Sequence, residues 1–372
     1  MNTLVLDSLT IKGFRTFEHL DISRLAQVNL IVGKNNVGKS CLLEAIRIYA
    51  HRGNPEVILD ILASRDEAEN IHHKHPVEDE TYIKAFRHLF YGRSIFSKSF
   101  KAEQFSIGPT ENDQKHFSIR AEWYEQQDTP KNDRRRWKPA RQLNSIEEIL
   151  ELAPGITIRL GNEKVLSLLL SGLFPRTAPW SFIQGIPCKF ISTNGLKEEV
   201  IAELWDRIAL KPEEEEVARG LSLIVPDIER LTLIGQNGPR STRIPVVKLS
   251  TLAEPLPLRS LGEGTNRLFG ILLALVNARD GLLLIDEVDS GLHYTVHSSL
   301  WRIIFDVAQR LNVQVFATTH SWDCIEGFQQ NLLETPEEGL LIRLENRQGH
   351  IVPILFDGAR LGIATRQDVE VR

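Results

Sequence analysis

Residues 33 to 40 read Gly33-Lys34-Asn35-Asn36-Val37-Gly38-Lys39-Ser40, a complete G-x-x-x-x-G-K-[ST] pattern. Glycines in such a segment let backbone N–H groups curl round phosphate. The helix that follows points the positive end of its dipole at the anion. Lys39 is placed to reach the terminal phosphates and Ser40 to offer its hydroxyl to Mg²⁺. Cys41 reads as a small residue of the helix's first turn. It stands with Gly33, Asn35, Asn36, Val37, Gly38, Lys39 and Ser40 as a candidate nucleotide contact. The chemistry is that of nucleoside triphosphate binding.

Three further groupings lie far downstream. Leu282-Leu283-Leu284-Ile285-Asp286-Glu287 is an apolar strand followed by two carboxylates. Asp286 is placed to support Mg²⁺ with Ser40, and Glu287 to deprotonate the attacking water. Ser260-Leu261-Gly262-Glu263-Gly264-Thr265 opens an apolar helix. Gly262, Glu263 and Gly264 there form a second backbone-rich anion cradle. One chain has no obvious use for a second cradle; reaching across to a second subunit's nucleotide would give it one. Ala317-Thr318-Thr319-His320-Ser321 follows another apolar strand, where the His320 imidazole can contact the γ-phosphate or the attacking water.

The elements that must hold these groups are legible in outline. Val28 to Val32 reads as the strand before the phosphate loop, and Leu42 to Ile46 as the helix after it. Leu4 to Ile11 and Phe17 to Ile22 read as strands, and Val57 to Leu62 as a second helix. Arg65 to Glu80 reads as a polar loop. Short alternating runs at Phe105 to Ile107 and Phe117 to Arg120 predict antiparallel strands. Residues 128–133 are linker-like, and 145–221 read as largely helical. Strands resume at Ile228, followed by a helix from Thr265 to Ala278. Fully apolar strands at 282–285 and 313–317 predict a buried parallel sheet. The expected division is an N-terminal lobe (1–130), a mainly helical insertion (131–220) and a C-terminal lobe (221–372).

The chain has 372 residues and a formal net charge of −5, which argues against a wholly electrostatic nucleic-acid binder. Its three cysteines, Cys41, Cys188 and Cys324, lie far apart, so no disulfide framework or zinc site is expected and a reducing cytoplasm fits best. The N-terminus lacks the basic and apolar regions of a signal peptide. No apolar run approaches the roughly 18 residues of a membrane span, so no membrane partner is expected. His72, His73 and His75 read as exposed loop residues. Arg134-Arg135-Arg136-Trp137-Lys138 reads as a solvated charge run, with contact to DNA phosphates as the alternative.

Phosphate loop, glycine-rich helix start, acidic strand and histidine, in this order, resemble the head of an ABC-type ATPase. Leu9-Thr10-Ile11-Lys12-Gly13-Phe14-Arg15, leading into the phosphate loop, is similar to the SMC, RecF and OLD branch. Asp286-Glu287-Val288-Asp289-Ser290-Gly291-Leu292-His293, Thr318 to Ser321 and the closing Asp368 to Arg372 look like stand-alone OLD-like bacterial AAA-family ATPases. The resemblance covers roughly residues 1–50 and 220–372.

It implies an α/β P-loop NTPase fold of ABC-head type: a mixed sheet, an antiparallel β subdomain and an inserted helical region. It also implies ATP and Mg²⁺ as cofactors, and a head-to-head homodimer or higher homo-oligomer in which residues 262–265 of one copy face the phosphate loop of another. Two departures stand. Gly262 occupies the usual signature serine position: either Ser260 substitutes, or γ-phosphate sensing is weakened and turnover slow. The metal-linking glutamine has no clear counterpart, Gln104 being one candidate.

The absence of sustained heptads points to a compact head rather than an SMC arm. About fifty residues follow His320, too few for a TOPRIM nuclease domain. The resemblance therefore implies a conformational switch beside a separately encoded effector, nuclease or toxin, in anti-phage defence. A RecF-like DNA clamp and a nucleotide-gated assembly with negligible hydrolysis are the alternatives.

Overall fold

The computed structural model describes residues 4–68, 79–95, 103–127, 136–140, 152–170, 185–235, 243–358 and 360–362. The strands are β1 (Leu9–Phe14), β2 (Phe17–Ile22), β3 (Val28–Val32), β4 (Gln104–Gly108), β5 (Phe117–Gln127), β6 (Arg136–Pro139), β7 (Ala153–Leu160), β8 (Glu163–Leu169), β9 (Cys188–Ile191), β10 (Ile228–Gly235), β11 (Arg243–Leu249), β12 (Leu256–Pro257), β13 (Leu282–Ile285), β14 (Gln314–Thr318), β15 (Gly339–Arg347) and β16 (His350–Phe356). The helices are α1 (Lys39–Ala50), α2 (Pro55–Ala63), α3 (Asp79–Phe86), α4 (Glu198–Ile208), α5 (Pro212–Ser222), α6 (Glu263–Val276), α7 (His297–Leu311) and α8 (Trp322–Glu334).

The central sheet runs β16-β15-β3-β14-β13-β9, with β16 antiparallel to β15 and the rest parallel. Its inner strands are apolar at nearly every position because both faces are covered. Val28, Leu30, Val32, Leu283, Ile285, Val315 and Ala317 join one core, packed with α4 to α8. Ile31, Leu282, Leu284 and Phe316 point into the other core, with α1, α2 and the second sheet. The alternation follows from the two-residue period of the pleat.

That second sheet, β2-β1-β4-β5-β7-β8 with β6 on β5, is antiparallel throughout. Its inner face carries Phe14, Phe105 and Phe117, with Phe90 edge-on to Phe105 at 5.3 Å between ring centres. A smaller antiparallel sheet, β10-β11-β12, completes the fold.

The expectation of a largely helical stretch from 131 to 220 is corrected. Its described residues form β6, β7, β8 and β9 before α4 and α5. In β7, Ile156 and Ile158 alternate with less apolar neighbours and pair with Leu168 and Leu166 of β8. A short apolar run does not declare its period; β-branched residues and a partner strand decide it. β9 pairs with β13 in the central sheet, so the segment is woven into the core rather than inserted beside it. The first strand also starts later than expected, at Leu9 rather than Leu4. The 128–133 linker, residues 72–75, 134–135 and the closing 368–372 lie outside the described residues.

Candidate nucleotide-binding site

β3, β14 and β13 are neighbours, and their register sets the site. Thr318 pairs with Ile31 and Ala317 with Ile285, so residues just past each strand form one row at the C-terminal edge of the sheet. Parallel sheets open their ligand crevices at this edge. β3 leads into the phosphate loop, where Gly33, Asn36 and Gly38 adopt φ of 142°, 65° and 95°. Gly38 has no room for a side chain: a Cβ there would lie 2.6 Å from Thr16 Cγ2.

Lys39 opens α1 and is 7% exposed. Its ammonium donates to the carbonyls of Gly33 (2.8 Å) and Lys34 (3.0 Å), bridging the loop's entry. Burial pushes its pKa down, opposed by the charges of Asp286 and Glu287. Ser40 Oγ donates to Asp286 Oδ2 at 3.0 Å. Thr318 Oγ1 donates to Asp286 Oδ1 at 2.6 Å and accepts from the Glu287 N–H at 2.8 Å. Hydroxyl and carboxylate side by side are hard oxygen donors suited to Mg²⁺, which keeps its other positions for water and phosphate. Among the described residues no group of three or more His, Cys, Asp or Glu is placed to hold a metal ion.

Glu287 follows directly, with φ of 49°, a left-handed conformation uncommon for a side chain of its length. His320 sits past β14; burial and the Lys39 ammonium push its pKa down, against Glu287, Asp289 and Asp286. A cavity of about 560 Å³ gathers Asn35, Asn36, Gly38, Lys39, Ser40, Cys41, Asp286, Glu287 and His320. The structure thus brings together the phosphate loop, the acidic pair and the histidine.

It does not bring the glycine-rich helix start to them. Glu263 lines a separate cavity of about 130 Å³, and Gly262, Gly264 and exposed Ser260 line neither. Val37 packs into the core instead of the cavity, and Gly33 contributes its carbonyl rather than its surface. Gln104 is exposed on β4 and lies outside the cavity.

Thr16, Arg65, Arg93 and Thr318 also line the phosphate cavity and were not foreseen in that role. A neighbouring cavity of about 390 Å³ shares Thr16, Cys41, Arg65 and Arg93 with it and adds Arg15, Glu67 and His88. Beneath lies a charge network. Arg15 pairs with Glu44 at 2.6 Å and Glu67 at 2.9 Å, and Arg65 with Glu44 at 2.5 Å. Burial nevertheless raises the Glu44 pKa, against both guanidinium groups. Replacing Glu44 by Gln leaves buried Arg15 short of a counter-charge, so a loss of about 3 kcal/mol is expected, measured by urea unfolding.

Burial is also the leading cause of lowered pKa values at His51, His88, His297 and His320. As pH falls through the ordinary 6.5, the unfolded chain takes up protons that the folded chain does not, and stability drops. Glu44, raised by burial, works the other way but is one group against four. The melting temperature should therefore fall from pH 7.5 to 5.5; a flat or rising profile would contradict this.

A family model described as "AAA domain, putative AbiEii toxin, Type IV TA system" matches residues 28–323. An "ATP/GTP phosphatase" of Helicobacter pylori is 24% identical over 96% of this chain and 97% of its own length. The fold is similar to a solved SMC head bound to the C-terminal winged-helix domain of ScpA, with a TM-score of 0.51 and 14% identity over 95% of this chain and 97% of that one. Together these identify an AAA-family ATPase domain whose fold is similar to that of an SMC head. The stand-alone OLD-like resemblance is matched at that coarser level. With four-fifths of its length under the family model, the chain belongs to the AAA-domain family that includes the AbiEii-like proteins.

Proposed function

We propose that this chain is a Mg²⁺-dependent ATPase whose hydrolytic cycle opens and closes a head-to-head homodimer. The observation that carries the hydrolytic part is the contact of Ser40 Oγ with Asp286 at 3.0 Å, with Glu287 and His320 on the same cavity as Lys39. Ser40 and Asp286 would hold Mg²⁺, which supplies charge neutralisation at the phosphates when bound. The Lys39 ammonium exchanges its two carbonyl acceptors for terminal phosphate oxygens. Glu287 accepts the proton of the attacking water, and neutral His320 offers a hydrogen bond to that water or to the γ-phosphate. The cavity continuing past Thr16, Arg65 and Arg93 gives room for the sugar and base.

The dimer reading rests on placement. Gly262, Glu263 and Gly264 stand at the exposed start of α6, away from their own chain's phosphate cavity, where a second copy could use them. The family description, which reads "putative AbiEii toxin, Type IV TA system", supports a role in bacterial defence; a separately encoded effector and a cytoplasmic setting are part of the proposal. No helix among the described residues is long and apolar enough to cross a membrane.

The test is phosphate release from ATP and from GTP with Mg²⁺ or with EDTA. Turnover with Mg²⁺ that falls to background with EDTA is expected, ATP being the better substrate. Metal-independent release would overturn the site, and a preference for GTP would revise the substrate. The relative's name makes that second nucleotide worth measuring.

A further inference from the structure

Arg267 lies one turn into α6, is 7% exposed, and forms no direct ion pair among the described residues. Its guanidinium instead forks across three backbone carbonyls. Nη1 donates to Ser192 at 2.6 Å, and Nη2 to Asp286 at 2.8 Å and Glu287 at 3.0 Å. These acceptors lie just past β9 and β13, neighbouring strands of the central sheet. One side chain on α6 thus holds the turn that carries both functional carboxylates.

Packing alone does not call for a cation here. Burial works against the charge and lowers the pKa of Arg267, with Asp286, Asp289 and Glu287 only partly offsetting it. An apolar side chain of similar length would fill the space without that cost. What it could not supply is a rigid set of donors, the property that distinguishes arginine.

The turn needs holding. Glu287 sits at φ 49°, a conformation that persists only where its surroundings over-determine it. Its N–H is fixed by Thr318, and its carbonyl accepts from both Arg267 and the Ser290 N–H (3.0 Å). The start of α6 touches the same turn a second time: a Cβ on Gly264 would lie 2.8 Å from the Gly291 carbonyl oxygen. The entry of α6 thus packs closely against the turn that carries Glu287.

We propose that Arg267 is a positioning residue for hydrolysis, aiming the Glu287 carboxylate and coupling its aim to the entry of α6. This rests on the reading of Glu287 as the general base. Arg267→Met should lower kcat about 100-fold, the cost of a small misplacement of a reacting group. Nucleotide Kd should stay within about threefold, because Arg267 does not line the phosphate cavity and meets Asp286 and Glu287 only at their backbone carbonyls. In the Arg267→Met/Glu287→Gln double variant the losses should not multiply: it should match Glu287→Gln alone.

Wild-type kcat in Arg267→Met, an equal loss of nucleotide binding, or multiplying losses would each overturn the proposal. Thermal melts check the fold. If the Met variant does not fold, Arg267→Lys retains the charge without the fork and should show an intermediate kcat. A folded Lys variant with wild-type kcat overturns the proposal as well. An active Glu287→Gln would remove the general-base reading and this inference together. An inactive Glu287→Gln beside an active Arg267→Met removes only the latter.

Discussion

Replacing Glu287 by Gln is expected to lower ATP turnover by about 10² to 10⁴-fold, the range for losing a positioned general base. Nucleotide affinity should hold or rise. Gln keeps the size of the side chain and relieves the repulsion between a carboxylate and the phosphates, while Lys39, Ser40 and Asp286 are untouched. The backbone contacts of residue 287 with Thr318 and Arg267 use main-chain atoms, so the turn survives the change. Single-turnover hydrolysis measured beside equilibrium binding separates the two effects. A variant that hydrolyses ATP at the wild-type rate would show that the base is another group.

Lys39→Ala is expected to act earlier, at binding. The ammonium is buried, tied to the two carbonyls at the loop's entry, and already disfavoured by desolvation. Phosphate would add a direct counter-charge to the more distant ones of Asp286 and Glu287. Without it, the loop offers only backbone N–H groups and a helix dipole, the latter worth about 0.3–1 kcal/mol. A charge-assisted contact of the kind removed contributes about 1.5–3 kcal/mol, so Kd should rise at least tenfold and turnover should be lost. Fluorescent-nucleotide titration checks the first effect. If the alanine variant still bound ATP with wild-type affinity, Lys39 would not be the phosphate ligand.

The parts of this site that could be read from residues are those written contiguously. The eight residues of the phosphate loop carry their own geometry, and Asp286 and Glu287 follow an apolar run that could hardly be anything but a buried strand. The sheet order β3-β14-β13 then joined what the chain keeps more than 240 positions apart, Ser40 and Asp286. Thr16, Arg65 and Arg93 were not legible, because no local pattern marks a side chain whose role depends on the cavity it borders. Arg267 stood in plain view beside the glycine-rich helix start, yet its acceptors are backbone atoms, which leave no trace in residue types. The helical reading of 145–221 holds at α4 and α5 but fails at β7, β8 and β9 for a related reason. Apolar residues around Val165 fit either period, and pairing with β7 settled the matter.

The charge network behind the phosphate loop joins these observations. Glu44 lies on α1, one turn beyond Ser40, while Arg15 follows β1 and Arg65 follows α2. Arg65 also borders the phosphate cavity, so the ion pairs that brace α1 reach the nucleotide's surroundings. A buried network of this kind costs more to break than to keep.

In the proposed dimer, one chain supplies the phosphate loop, Glu287 and His320 of each hydrolytic site, and a second copy supplies residues 262–264. Sedimentation of the Glu287→Gln protein with and without Mg²⁺ and ATP tests this most directly, since blocked hydrolysis should let the closed form accumulate. A monomer without nucleotide and a dimer with it are expected, reverting when Glu263→Arg alters the exposed entry of α6. A mass that ATP does not change, although ATP binds, would contradict it.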